Sequence, residues 1–409
     1  MILEVAQKFE IVVNMLIDSW QEKFLENDFS SFQEWLEEER RENYNNLLSL
    51  NFPMQLYNHP EFDQHEHVSF FSCSKTGLKA IIAIHNTHLG PALGGCRMWK
   101  YATEEQALYD VLRLSKAMTY KAALAGIPSG GGKSVILGDP KADKTAEMMK
   151  SMGRAVENLG GRYIIAEDVG TSVEDMNYIH QTTQHVTGVF QNNEGSGDPS
   201  PTTAYGVFLG LKSAVKHRLQ KESLHGVTIS VQGLGHVGYH LCKLLHAAGA
   251  KLYVCDLEEE KVLRAVDQFG AIALPLDEIY DLKADVFAPC ALGSILNEAT
   301  IQRLRVSIVA GAANNQLEKL EDGVLLSERY ILYAPDYVIN AAGLIRVYYE
   351  YASSRENPFS EKKVIEHLEK IPQKLEMIFS YANKHGLSTS AAADALAEEV
   401  FKGDSASLR

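Results

Sequence analysis

The chain has 409 residues, 45% of them hydrophobic, and a formal charge of −14. This is enough for two globular cores, while the acidic balance and the absence of a basic run argue against nucleic acid as a partner. Cys73, Cys96, Cys242, Cys255 and Cys290 are scattered with no C-x-x-C pair, so neither a zinc site nor a disulfide framework is expected, and a reducing cytoplasm fits.

The first residues lack the basic region of a targeting signal, and the apolar patch Ile11 to Ile17 is too short to span a membrane. Residues 1–50 carry the acidic run Glu37-Glu38-Glu39, with Phe24, Phe32, Trp35 and Leu36 at roughly helical spacing. They predict an added helical segment that is solvated or packs on a subunit. Pro53 marks its boundary. His59, His65 and His67 lie in a polar stretch without cysteine or spaced partners, so no metal site is expected. From Val68 to His85, strand-forming residues flank a Lys75-Thr76-Gly77 turn and predict a hairpin.

Thr103, with Gln106 three residues on, forms a capping box. It opens a helix whose apolar face Val111, Leu114, Met118 runs on to Lys121, so a lysine extends an apolar stripe. Next come Gly130-Gly131-Gly132-Lys133, a strand from Ser134 to Leu137, and a strand Tyr163 to Ala166 that ends in Glu167-Asp168. The turn-rich Gly197-Asp198-Pro199-Ser200-Pro201 is expected to lie outside any element and to mark a domain junction. Beyond a helix from Tyr205 to His217, strands and helices alternate as far as Tyr333, the period of a doubly wound α/β domain.

The strongest local motif is a strand, Val227 to Gln232, followed by Gly233-Leu234-Gly235-His236-Val237-Gly238, an apolar helix Leu241 to Ala248 and a strand Lys251 to Asp256. Gly233 permits a tight turn, Gly235 lets backbone approach a pyrophosphate, and Gly238 allows close packing of helix on strand. With a strand before and a helix after, the pattern predicts dinucleotide binding at a helix N-terminus. Asp256 ends the next strand, where a carboxylate accepts from ribose hydroxyls and repels a 2′-phosphate, so NAD is expected over NADP. The string Gly132-Lys133-Ser134 resembles the tail of a P-loop, but Ile127 occupies the place of the first glycine, which argues against nucleotide hydrolysis. A single lysine is ordinarily solvated or snorkels. Lys121 and Lys133 are both flanked by small or apolar residues, which makes that reading less comfortable. Asp168 is by default a turn or capping residue, and its place at a strand end raises a catalytic reading.

Together, Gly90 to Met98, Met118-Thr-Tyr-Lys121, Gly130 to Lys133, Ala166 to Thr171, Pro201 to Gly206, Gly233 to Gly238 and Asn340 to Gly343 resemble the glutamate/leucine/phenylalanine/valine dehydrogenase family, nearest its leucine branch. The likeness runs from about residue 51 to the C-terminus. Gly132 and Ala342 depart from the usual Gly-Gly-Ala-Lys and Asn-Ala-Gly-Gly forms. The resemblance implies an extension at 1–50, an α/β substrate domain over 51–190 joined by a C-terminal helix within 386–409, and a Rossmann NAD domain over 191–385.

It further implies NAD-linked deamination of a small amino acid to a 2-oxo acid and ammonia, in a homo-oligomer such as an octamer or dimer. Carried over residue by residue, Lys121 and the Gly94 backbone would bind the α-carboxylate, Lys133 would be the general acid/base, and Asp168 would relay protons to and from nitrogen. Thr203, Asn315 and Asn340 would seat the nicotinamide end and the substrate. Leu93, Met118, Ala166, Leu344 and Val347 would line the side-chain pocket. Leu93 and Val347 match positions where glutamate enzymes carry a lysine and a serine, and burying an unpaired carboxylate there is costly. Ala166 suits the leucine branch and Leu344 the phenylalanine branch, so branched-chain substrates are expected first and aromatic ones second.

Overall fold

The computed structural model describes residues 56–189, 199–291, 293–353 and 357–403; the expected N-terminal helical segment and Gly197-Asp198 of the expected domain junction lie outside them. Strands β1 (His67–Cys73) and β2 (Leu78–Asn86) form the predicted antiparallel hairpin, with Gly77 at φ +72° in the turn. With β3 (Ala92–Trp99), β4 (Gly130–Leu137) and β5 (Tyr163–Glu167) they build a mixed sheet of order β1-β2-β4-β3-β5. The pattern places the start of β4 at Ser134, but the strand begins at Gly130. Its glycines let neighbours close in on both faces. A Cβ on Gly131 would lie 2.0 Å from the Thr119 nitrogen, and one on Gly132 would lie 2.8 Å from the Tyr163 ring.

Period-two alternation sorts this sheet into two faces. Ile82, Ile84, Ala92, Cys96, Met98, Ile136, Tyr163 and Ile165 belong to the core shared with helices Ala146–Glu157 and Val173–His180. The alternate residues, Leu93, Gly95 and Arg97 on β3, Gly131 and Lys133 on β4, and Ile164 and Ala166 on β5, take the other face. The helix Glu104–Ala125 crosses that face, capped by Thr103, whose side chain accepts from the Gln106 N–H at 3.2 Å. The Gln106 side chain accepts from the Ala102 N–H rather than completing the predicted box.

The second sheet contains β6 (Thr228–Gln232), β7 (Lys251–Cys255), β8 (Ile272–Ala273), β9 (Val286–Pro289), β10 (Ile308–Val309) and β11 (Leu332–Tyr333). All neighbours are parallel and the order is β8-β7-β6-β9-β10-β11, the Rossmann arrangement, with a crevice at the β6/β9 switch point. Two boundaries differ from the sequence pattern. The helix expected from Tyr205 spans Ser200–Leu219, because a proline at a helix's first positions sacrifices no hydrogen bond; Ser200 and Pro201 therefore lie inside an element. The helix expected from Leu241 begins at His236, directly off the glycine turn.

Near the C-terminus, the helix Ile371–His385 lies along Ser200–Leu219, where the Ser213 hydroxyl donates to the Pro372 carbonyl at 3.2 Å. The last helix, Thr389–Lys402, returns to Glu104–Ala125. There the Tyr120 hydroxyl donates to Glu398 at 2.7 Å, and the buried Phe401 ring stands edge-on to Tyr120 at 5.2 Å. One apolar core runs without a break from Leu93 and Ala122–Ala125 to Val207, Ile339 and Leu344.

Candidate active site

Lys133 sits in the middle of β4, only 6% exposed, with its ammonium 2.7 Å from a carboxylate oxygen of Asp168 at the end of β5. The same oxygen meets the Arg97 guanidinium at 3.3 Å. Gly95 makes room for this cluster: a Cβ there would lie 2.7 Å from the Asp168 side chain and 3.2 Å from the Lys133 ammonium. Burial works against charge on Asp168, but Lys133 and then Arg97 outweigh it and hold the carboxyl below its usual range. The loop is pinned through its backbone: the Asp168 N–H donates to the Thr171 hydroxyl at 2.9 Å, and that hydroxyl donates to the Cys96 carbonyl at 2.8 Å.

Lys121 lies in the last turns of Glu104–Ala125 and donates to the Asn340 side-chain oxygen at 2.7 Å. This bond joins the mixed-sheet region to the Rossmann region. Burial lowers Lys121 to about 8; Asp336 opposes this and Lys133 reinforces it. Asn340 is itself buried and donates to the Ala312 carbonyl at 3.1 Å and to the Asn314 side chain at 2.8 Å. Asn315, expected at this point, is exposed at φ +50°, and its carbonyl accepts from the Ser294 N–H at 2.6 Å. Its neighbour Asn314 supplies the side chain that reaches Asn340.

Leu93 and Leu344 are buried in the shared core, with Met118 and Val347 packed partly buried against it. Ala166 is also buried, beside Gly95 in the ladder. The backbone of Gly94 is held close: a Cβ there would lie 1.7 Å from the Gly132 carbonyl, and its own carbonyl accepts from the buried Tyr163 hydroxyl at 2.8 Å. Thr203 faces Gly343, whose added Cβ would stand 3.4 Å from the threonine hydroxyl.

The glycine turn fits a dinucleotide. Gly233 has φ +98°, and a Cβ on Gly238 would lie 2.1 Å from the Gly233 carbonyl, so both close the turn onto its helix. Gly235 is the N-cap of His236–Ala247 and has no side-chain cap; a Cβ there would meet nothing within 4 Å, so this flank is open to an approaching phosphate. Val237, in the first turn, packs partly buried on the core. One Asp256 carboxylate oxygen accepts from the Leu234 N–H at 2.6 Å and the other from the Glu258 N–H at 2.9 Å, fixing the acid at the end of β7 beside the turn.

Sequence reasoning missed Arg97, Asn314 and Asp336. Arg97 was legible from alternation, since it lies two residues beyond Gly95 on the face that carries Lys133. Asp336 gave no local signal; it is buried and accepts from the backbone of Gln316 at 2.9 Å and of Tyr337 at 2.7 Å. Among the histidines of the opening stretch, His65 bonds to the Leu112 carbonyl at 3.1 Å and the Ser115 hydroxyl at 3.0 Å.

A buried lysine paired with an aspartate, with a second lysine bonded across to a Rossmann fold, fits a nucleotide-linked oxidoreductase. The chain belongs to the glutamate/leucine/phenylalanine/valine dehydrogenase family, whose members depend on a pyridine nucleotide. The dimerisation-domain model of that family matches residues 65–185, and the dehydrogenase-domain model matches 195–257 and 254–402. The chain is 49% identical over 346 residues to leucine dehydrogenase of Thermoactinomyces intermedius, covering 85% of this chain and 93% of that one. It is 44% identical over 344 residues to phenylalanine dehydrogenase of Caldalkalibacillus thermarum, covering 83% and 92%. The crystal structure of L-tryptophan dehydrogenase from Nostoc punctiforme superposes with a TM-score of 0.73 at 45% identity, covering 83% of this chain and 96% of that one. No helix among the described residues is long and apolar enough to cross a membrane.

Proposed function

We propose that the protein catalyses reversible, NAD-dependent oxidative deamination of leucine, isoleucine and valine to 2-oxo acids and ammonia. The observation that carries this reading is the Lys133–Asp168 pair at 2.7 Å, on a sheet face shared with Leu93 and Ala166. The α-carboxylate is held by Lys121 and the Gly94 backbone, the substrate taking over from Asn340 as partner of the ammonium. Bound NAD supplies the hydride acceptor for Cα. Lys133 acts as general acid/base at the reacting carbon, activating the water that adds to the imine. Asp168 moves protons to and from the amino nitrogen, while Thr203, Asn315 and Asn340 orient cofactor and substrate. Closure of the cleft excludes water from hydride transfer.

Leu93, Met118, Leu344 and Val347 offer no partner for a side-chain carboxylate, which disfavours glutamate. The 49% identity to a leucine dehydrogenase supports the branched-chain reading. Leu344 and the likeness to tryptophan and phenylalanine dehydrogenases favour aromatic substrates as the second reading. Asp256 beside the glycine turn favours NAD over NADP. The protein acts in the cytoplasm as a homo-oligomer, in keeping with its match to a dimerisation-domain model. A panel of apolar, aromatic and acidic amino acids, each assayed with NAD and NADP, tests these points together. Higher kcat/KM for phenylalanine than for leucine would replace the first reading with the second, and turnover of glutamate alone would overturn both.

A further inference from the structure

Asp168 is fixed at its backbone by Thr171, and the Val169 N–H also donates to its carboxylate. Beyond this backbone donor, the carboxylate is aimed by a chain of side chains leading away from the proposed substrate site. Arg97 Nε lies 3.3 Å from the carboxylate oxygen that Lys133 touches at 2.7 Å. Arg97 Nη1 donates to Asp110 at 2.8 Å, and the Tyr101 hydroxyl donates to the same Asp110 oxygen at 2.7 Å. The guanidinium thus spans two carboxylates from one fixed fork, which an ammonium cannot reproduce. Two cations and two anions balance in this cluster, whose outer end borders a cavity of about 440 Å³ walled by Trp99, Tyr101 and Tyr109.

We propose that Arg97 is a positioning residue for Asp168: it holds the carboxylate against Lys133 and is itself held by Asp110 and Tyr101. The proposal rests on the roles given above to Asp168 and Lys133. Glu167 stands next to Asp168 on β5, Lys121 approaches from the long helix, and Cys96 and Tyr163 lie on the neighbouring strand positions. All four remain in an Arg97 variant, so a change of pH dependence there reports the guanidinium. Removing this cation makes the site hold its protons more tightly, and the acid limb of the profile moves to higher pH.

The test uses the full-length enzyme with leucine and NAD, measuring kcat, KM, the pH profile of kcat/KM and the thermal midpoint for Arg97→Met, Arg97→Lys and Asp168→Asn. Arg97→Met should lose at least about tenfold in kcat with KM nearly unchanged. Its acid limb should rise by about one pH unit. Arg97→Lys keeps the charge but loses the fork, so the limb should return to its wild-type position while kcat stays lowered. Wild-type kcat and pH profile in Arg97→Met overturn the proposal, as does full kcat in Arg97→Lys, the variant that decides if the methionine protein fails to fold. Undiminished turnover in Asp168→Asn would instead sink the underlying assignment of Asp168.

Discussion

The two lysines differ in what surrounds them, and their variants should fail differently. Lys133→Ala removes the group paired with Asp168 and should lower kcat by about 10²–10⁴-fold. Lys121→Ala removes the proposed carboxylate anchor and should chiefly raise KM; steady-state kinetics on the two proteins separate these outcomes. Lys121 also has a stability consequence. Burial lowers it from 10.5 to about 8, so between these values the unfolded chain binds the proton and the folded one does not. The stability of the wild type relative to Lys121→Met should therefore rise with pH from about 8 to 10.5, as read from urea unfolding across that range. Neither lysine could be assigned from its own neighbours in the sequence, because a flanking alanine or glycine says nothing about what approaches in space. The ordered motifs supplied their roles, and alternation along β3 would have added Arg97.

At the scale of elements, the glycine turn was legible because strand, turn and helix are contiguous in the chain. Asp256 was legible because one strand ends where its neighbour's turn begins. Asp256→Ser removes a carboxylate that accepts from Leu234 and Glu258, and the ratio of kcat/KM for NAD to that for NADP should fall by roughly tenfold or more. Helix starts were less legible: Ser200 and Pro201 read as turn formers yet serve equally well in a first helical turn. The strand expected from Ser134 omits the three glycines of β4, because strand propensity does not register the close approach of Thr119 and Tyr163. The return of the Thr389–Lys402 helix onto Glu104–Ala125 depends on contacts nearly 280 residues apart, which no local pattern records. Phe401→Ala should cost about 3–5 kcal/mol by denaturant unfolding, because its ring is enclosed by Tyr120 and His85.

Across the whole molecule, the core that runs from Leu93 to Leu344 ties the two sheets together, so the proposed pocket is walled from both sides. Ala166→Gly widens it by one methyl, and the phenylalanine-to-leucine ratio of kcat/KM should rise by about tenfold or more. Its pH profile should stay in place, since no charged group is altered; competition assays with the two substrates and a pH series check both halves. Asp168 lies two residues beyond Ala166, Lys133 lies on β4, and Lys121 lies one turn beyond Met118 on the long helix. The helix Ala342–Tyr351, bearing Leu344 and Val347, holds none of the three. This separation has an evolutionary consequence. Mutations on this helix would reshape the proposed pocket while leaving the proposed proton-handling groups in place, so a descendant could change its diet through single steps. Leucine, phenylalanine and tryptophan dehydrogenases, each 44–49% identical to this chain, are what such a lineage would leave behind.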